Sequence, residues 1–130
     1  MEGEKKKILI VDDDNFLLNM YALKFSQNNF EVYTAGGGAL AIEKLKEGLT
    51  PNVMLMDIIM PEMNGFEMLT QINKENLCPN CAKIILSNKN EQSDIDEGKK
   101  LGVAGYIVKA NSTPAEVIDQ VVKILDNNKK

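Results

Sequence analysis

Five short apolar runs recur along the chain: Ile8-Leu9-Ile10-Val11, Val32-Tyr33-Thr34-Ala35, Val53-Met54-Leu55-Met56, Ile84-Ile85-Leu86 and Tyr106-Ile107-Val108. The segments between them carry helical periodicity, so the whole reads as a parallel β-sheet wrapped by helices. The first, third and fourth runs are continuously apolar, as strands covered on both faces must be. The second is more mixed, which suits an edge position. In the first intervening segment Leu17, Leu18, Tyr21, Ala22 and Phe25 share one helical face. Ala39, Ile42 and Leu45 mark a second helix, and Phe66, Leu69 and Ile72 a third. A fourth, near Glu91 to Leu101, has only Ile95 and Leu101 as apolar grip and is expected to be mobile. The last carries Val117, Ile118, Val121, Val122 and Leu125, and its start is well marked: Thr113 can cap, Pro114 suits the first helical position, and Glu116 can complete a capping box.

At 130 residues and 44% hydrophobic content the chain can bury one core of ordinary size. The expected organisation is a tail over 1–6, one domain over 7–127 and a tail over 128–130, with no separate output domain. The formal charge of −4 repels phosphate backbones and anionic lipid, so direct nucleic-acid binding is not expected. Lys5, Lys6 and Lys7 form the only dense basic run and read as a solvated tail. No signal-peptide core or membrane-spanning stretch is visible, so a cytoplasmic protein without membrane insertion is expected.

The acids change the picture more than the charge does. Asp12 and Asp13 follow the first run, Asp57 the third, Ser87 the fourth and Lys109 the fifth. In an open α/β sheet the carboxyl ends of the strands border the ligand crevice, so these scattered residues should converge. Clustered carboxylates repel unless neutralised, and with only oxygen donors Mg²⁺ is the expected cation. Lys109 adds positive charge beside it. Such a site suits phosphoryl transfer, which demands positioning and neutralisation of equatorial oxygens, with one carboxylate as nucleophile.

Four ordered motifs carry a resemblance: Ile8-Leu9-Ile10-Val11-Asp12-Asp13, Met56-Asp57-Ile58-Ile59-Met60-Pro61-Glu62-Met63-Asn64-Gly65, Leu86-Ser87, and Gly105-Tyr106-Ile107-Val108-Lys109. Over essentially its whole length the chain resembles a CheY-like response-regulator receiver domain of the stand-alone, single-domain type. The resemblance implies a flavodoxin-like, doubly wound five-stranded parallel sheet of order 2-1-3-4-5 with five helices. It implies that Asp57 accepts a phosphoryl group from a phosphohistidine partner, and that Asp13, Asp57 and the backbone carbonyl of Ile59 bind Mg²⁺, with Asp12 helping through water. It also implies a switch in which Ser87 and Lys109 engage the phosphate, Tyr106 swings inward behind Ser87, and the surface of the fourth helix, fifth strand and fifth helix changes its partner preference. The chain has no histidine, so a sensor histidine kinase or histidine phosphotransfer protein must be the donor. Beyond self-phosphorylation and self-dephosphorylation no enzymatic activity is implied, the downstream partner is a separate protein, and a monomer or weak homodimer is expected.

Departures from the family pattern are local. Ala110 follows Lys109 where many members have a cis proline; a cis bond to alanine would cost about 2.5–4 kcal/mol, which leaves that loop geometry open. Ser87 stands for threonine, Asn88 for a smaller residue, and Ile59 and Lys89 for polar or acidic ones. Apolar Ile59 is expected to hinder attacking water and prolong the phosphorylated state.

Other features have plainer readings. Asp14 or Asn15 should cap the first helix. Gly36-Gly37-Gly38 lacks a Gly-Lys-Ser/Thr ending and reads as a turn. Five of the seven methionines fall between Met54 and Met68, as core and turn filler. Cys78-Pro-Asn-Cys81 is one pair, short of the four ligands of structural zinc and wrongly placed for a helix-opening redox motif, so it reads as a turn carrying two thiols. Two rival functions remain: a haloacid-dehalogenase-type phosphohydrolase, suggested by Asp12-Asp13-Asp14, and a receiver that acts as an unphosphorylated scaffold.

Overall fold

The computed structural model describes residues 5–127. Five parallel strands alternate with five helices: β1 (Lys6–Val11), α1 (Asn15–Gln27), β2 (Phe30–Ala35), α2 (Gly38–Lys46), β3 (Val53–Met56), α3 (Gly65–Lys74), β4 (Ala82–Ser87), α4 (Gln92–Lys100), β5 (Gly105–Val108) and α5 (Pro114–Asn127). The sheet order is β2-β1-β3-β4-β5, a doubly wound, flavodoxin-like sheet with the mixed β2 at one edge. The expected C-terminal tail lies outside the described residues.

Alternation along the strands divides the core in two. Leu9, Val11, Met54, Met56 and Ile85 face one side, where Ile42 and Leu45 of α2 and Met68, Leu69 and Ile72 of α3 cover them. Ile8, Ile10, Val53, Leu55, Ile84 and Ile107 face the other, beneath Leu18, Tyr21 and Phe25 of α1 and Val117, Ile118 and Val121 of α5. Each such side chain, fully buried, contributes roughly 1.5–3 kcal/mol, which is why the apolar runs mark the strands so clearly. The methionines between Met54 and Met68 fill this core and its adjoining turn.

Helix ends follow the side-chain chemistry. Asp14 caps α1 by accepting from the Leu17 N–H at 3.1 Å. Thr113 and Glu116 exchange the two bonds of a capping box at the start of α5. Three expectations need correction. Lys6 and Lys7 belong to β1, paired with Phe30 and Glu31, because the ladder to β2 extends past the apolar run. Ala39 is exposed, and the buried face of α2 is Gly38, Ala41, Ile42 and Leu45. Val122 points outward on α5. The fourth helix does form, but it buries only Asp94 and Gly98, with Ile95 and Leu101 half-buried.

Candidate functional site

Parallel register brings the strand ends together: Val11 lies beside Met56, Met56 beside Ile85, and Ser87 beside Val108. The residues that follow, Asp12, Asp57 and Lys109, therefore emerge at one edge of the sheet with Ser87. Backbone bonds hold them, from the Asp12 N–H to the Ala35 carbonyl at 3.2 Å and from the Asp57 N–H to the Val11 carbonyl at 3.0 Å.

The Lys109 ammonium bridges the two buried acids, donating to Asp57 Oδ2 at 2.7 Å and to Asp12 Oδ2 at 2.9 Å. The second oxygen of each carboxylate accepts from backbone. Asp57 Oδ1 takes the N–H of Ile58 at 2.7 Å and of Ile59 at 3.2 Å, and Asp12 Oδ1 takes that of Asp14 at 2.9 Å. Burial pushes the Asp12 carboxyl above its ordinary value, the hydrogen bonds from Asp14 and Lys109 oppose this, and the charge of Asp57 adds to it. Burial works against the Lys109 charge, but the bonds to Asp57 and Asp12 outweigh it and raise its pKa.

These groups line an open cleft of about 360 Å³ together with Asp13, Asp14, Leu17, Ile59, Ser87 and Asn88. Asp13 is exposed at its mouth and Ser87 is fully buried at its floor. Ile59 is 60% exposed, an apolar side chain left in water beside the acids. A wider groove of about 550 Å³ lies along α3, lined by Phe66, Glu67, Thr70 and Lys74 among others. It gathers no convergent buried charges, so the smaller acidic cleft is the candidate site. Asp14, which a phosphohydrolase would need beside Asp12, gives an oxygen to the cap of α1.

Tyr106 does not line the cleft. It is half-buried and donates its hydroxyl to the backbone carbonyl of Lys89. Burial, then the charges of Asp94 and Asp57, push its phenol up to about 12. The Lys89 N–H meanwhile donates to Ser87 Oγ at 3.2 Å, so one peptide segment touches both residues of the expected switch. Lys89 itself is anchored through its ammonium to Asp94 of α4 at 2.6 Å.

Sequence reasoning missed three supporting residues. Gly65 packs under Asp57: a Cβ there would lie 2.5 Å from the Asp57 carbonyl oxygen and 2.9 Å from Ile58 Cα. The capping box of Asn64 and Glu67, legible in their spacing, places Gly65 at the first position of α3. Asn88 Oδ1 accepts from the Ala110 N–H at 2.7 Å. No described peptide bond is cis, so the Lys109–Ala110 bond is trans and leads into a short 3₁₀ turn, Lys109–Asn111. Proline at 110 would lack the N–H that Asn88 holds. The third is Asp94, whose pairing with Lys89 no periodicity indicates.

Among the described residues no three acidic or thiol groups are already arranged around a metal position. The donor chemistry nevertheless fits a hard divalent cation: Asp12, Asp13, Asp57 and the Ile59 carbonyl offer only oxygen, and Lys109 supplies one positive charge against three carboxylates.

A doubly wound α/β sheet with buried acids and a lysine at its carboxyl edge defines the class, and the comparisons give the family. Residues 8–122 match the response regulator receiver domain model, and the chain belongs to that family. It is 37% identical over 120 residues to the chemotaxis protein CheY of Thermotoga maritima, covering 92% of this chain and 97% of that one. It is 31% identical to the alkaline phosphatase synthesis transcriptional regulatory protein PhoP of Bacillus subtilis, of which it spans 48%. A CheY-like receiver domain structure from Methanospirillum hungatei superposes with a TM-score of 0.87 at 27% identity, covering 97% of this chain and 98% of that one. Receiver domains are signalling domains of two-component systems rather than classical enzymes, and no described helix is long and apolar enough to cross a membrane.

Proposed function

We propose that this receiver accepts a phosphoryl group on Asp57 from a phosphohistidine on a sensor kinase or phosphotransfer protein, and acts through a separate downstream protein in the cytoplasm. The observation that carries the reading is the Lys109 ammonium held between Asp57 Oδ2 and Asp12 Oδ2 in an open cleft. Because β1 starts at Lys6, the receiver unit is proposed to span 6–127.

In the transfer, a carboxylate oxygen of Asp57 forms a bond to phosphorus while the phosphorus–nitrogen bond of the donor breaks, and the electron pair returns to the partner's imidazole. Backbone N–H groups of Ile58 and Ile59 orient the Asp57 carboxylate through Oδ1. Lys109 pairs with a phosphoryl oxygen in this reading, and Ser87 donates its hydroxyl to another. Mg²⁺, held by Asp13, Asp57 and the Ile59 carbonyl with Asp12 behind, would neutralise equatorial phosphoryl charge when bound.

Ser87 and Tyr106 are proposed as the switch. Movement of Ser87 toward the phosphate disturbs its bond from the Lys89 N–H, and the carbonyl of the same residue accepts from the Tyr106 hydroxyl. The surface of α4, β5 and α5 responds because Lys89 is also tied to Asp94 of α4.

The test is intact-mass analysis after incubation with Mg²⁺ and a small acyl-phosphate donor. One added phosphoryl mass is expected in wild type and none in Asp57→Asn. Continuous substrate turnover dependent on Asp12 would indicate a hydrolase, and no mass gain an unphosphorylated scaffold.

A further inference from the structure

Cys78 and Cys81 precede β4 at the opposite end from Ser87, and the strand Ala82–Ser87 that separates them from it is about 16 Å long at the usual rise per residue. The Cys81 N–H donates to the Cys78 carbonyl at 3.1 Å, closing a tight turn. Such a turn holds its end Cα atoms within about 7 Å, which overlaps the span a disulfide bridges. Within that turn the Cys78 thiol donates to the Pro51 carbonyl and the Cys81 thiol to the Ala82 carbonyl, each at 3.5 Å.

Their environments differ in the way an attacking and a resolving thiol require. Cys78 is half-buried and open to reagents, whereas Cys81 is 6% exposed. Lys83, itself only 8% exposed, directs its ammonium at this turn and donates to the Cys78 carbonyl at 2.9 Å. No carboxylate among the described residues forms an ion pair with it. A buried ammonium without a carboxylate favours an anion nearby, and the Cys78 sulfur is the group available. The neighbouring Cys81 thiol, with a further contribution from the Lys83 charge, lowers the Cys78 thiol to about 7 against the opposing effect of burial. The neighbouring Cys78 and burial push Cys81 upward.

We propose that Cys78 and Cys81 form a thiol–disulfide exchange site, with Cys78 as nucleophile, Cys81 as resolving thiol and Lys83 as the positioning cation, acting on low-molecular-weight disulfides. The sequence alone favoured a plain turn because the pair precedes a strand instead of opening a helix. The tertiary fold supplies through Lys83 the positive charge that a helix N-terminus would otherwise give. In the reaction the Cys78 thiolate attacks one sulfur of the small disulfide, the sulfur–sulfur bond breaks, and one small thiolate leaves. Cys81 then bonds to Cys78 sulfur and expels the second small thiol, which carries away the Cys81 proton. The protein dithiol is oxidised by two electrons and the small disulfide is reduced to two thiols.

The test treats the full chain and its Cys78→Ser and Cys81→Ser variants with oxidised glutathione, followed by iodoacetamide and intact-mass analysis. Wild type should become lighter by two hydrogens, refuse alkylation, and regain both thiols with dithiothreitol. Cys81→Ser should stop as a glutathione mixed disulfide on Cys78, and Cys78→Ser should stay unmodified. Lys83→Met should slow Cys78 alkylation near neutral pH by roughly tenfold and move its pH profile upward. Two alkylatable cysteines persisting in treated wild type, or Cys81 as the preferred site of mixed disulfide, overturns the proposal.

Discussion

Gly65 and Asp57 are in backbone contact: the first residue of α3 leaves no room for a side chain above the Asp57 carbonyl, while its N–H donates to the Ile58 carbonyl at 2.8 Å. The loop that carries Asp57 and α3 are thus fitted to each other. Gly65→Ala should cost about 1–3 kcal/mol by overpacking and slow phosphoryl uptake. Urea denaturation and the mass assay measure the two effects separately.

Removal of Lys109 leaves the Asp12 and Asp57 carboxylates without their shared counter-charge. A fully buried broken pair costs about 3–5 kcal/mol, but this cleft is open to water, so about 1–2 kcal/mol is expected for Lys109→Met. Chemical denaturation in metal-free buffer gives the value. An unchanged midpoint would show that solvent already screens the acids.

Mg²⁺ should stabilise the folded chain. At ten times its Kd the gain is about 1.4 kcal/mol, visible as a raised Tm. The shift should largely vanish in Asp13→Asn, whose carboxylate is exposed in the cleft. An equal shift in that variant would remove Asp13 from the metal set.

Ile59 stands 60% exposed at the cleft mouth, where its side chain can cover an acyl phosphate from water. Ile59→Asn should shorten the phosphorylated lifetime, followed as decay of the added mass after the donor is removed. Slower decay in the variant would contradict a shielding role.

The Asp94 pair with Lys89 predicts a pH dependence. The hydrogen bond from Lys89 holds the Asp94 carboxyl below its ordinary value, with the Glu91 N–H assisting against desolvation. Its contribution to stability is therefore present above the unfolded value near ~3.9 and is lost as pH falls through the lower folded value. The stability difference between wild type and Asp94→Asn should hold from neutral pH to about 4 and close below it. A difference that instead closes between neutral pH and 5 would locate the effect in another group.

Much of this molecule was legible in local pattern. Strand runs such as Ile8 to Val11 are apolar because both faces are covered, and the helix starts at Asp14 and Thr113 announce themselves through side chains that cap their own backbone. Placement of Asp12, Asp57, Ser87 and Lys109 at strand ends followed as well, since parallel strands bring their carboxyl ends to one edge. Tertiary structure decided what those groups do to one another. Lys109 meets Asp57 across 52 positions and Asp12 across 97, and nothing within either neighbourhood selects those partners. The same holds for Tyr106 on the Lys89 carbonyl, for Asn88 holding a trans Ala110, and for the Cys78 thiol on the Pro51 carbonyl. Periodicity and capping are properties of adjacent residues, readable before folding; shared counter-charges and close backbone contacts exist only once register and packing have set distant groups within a few ångströms.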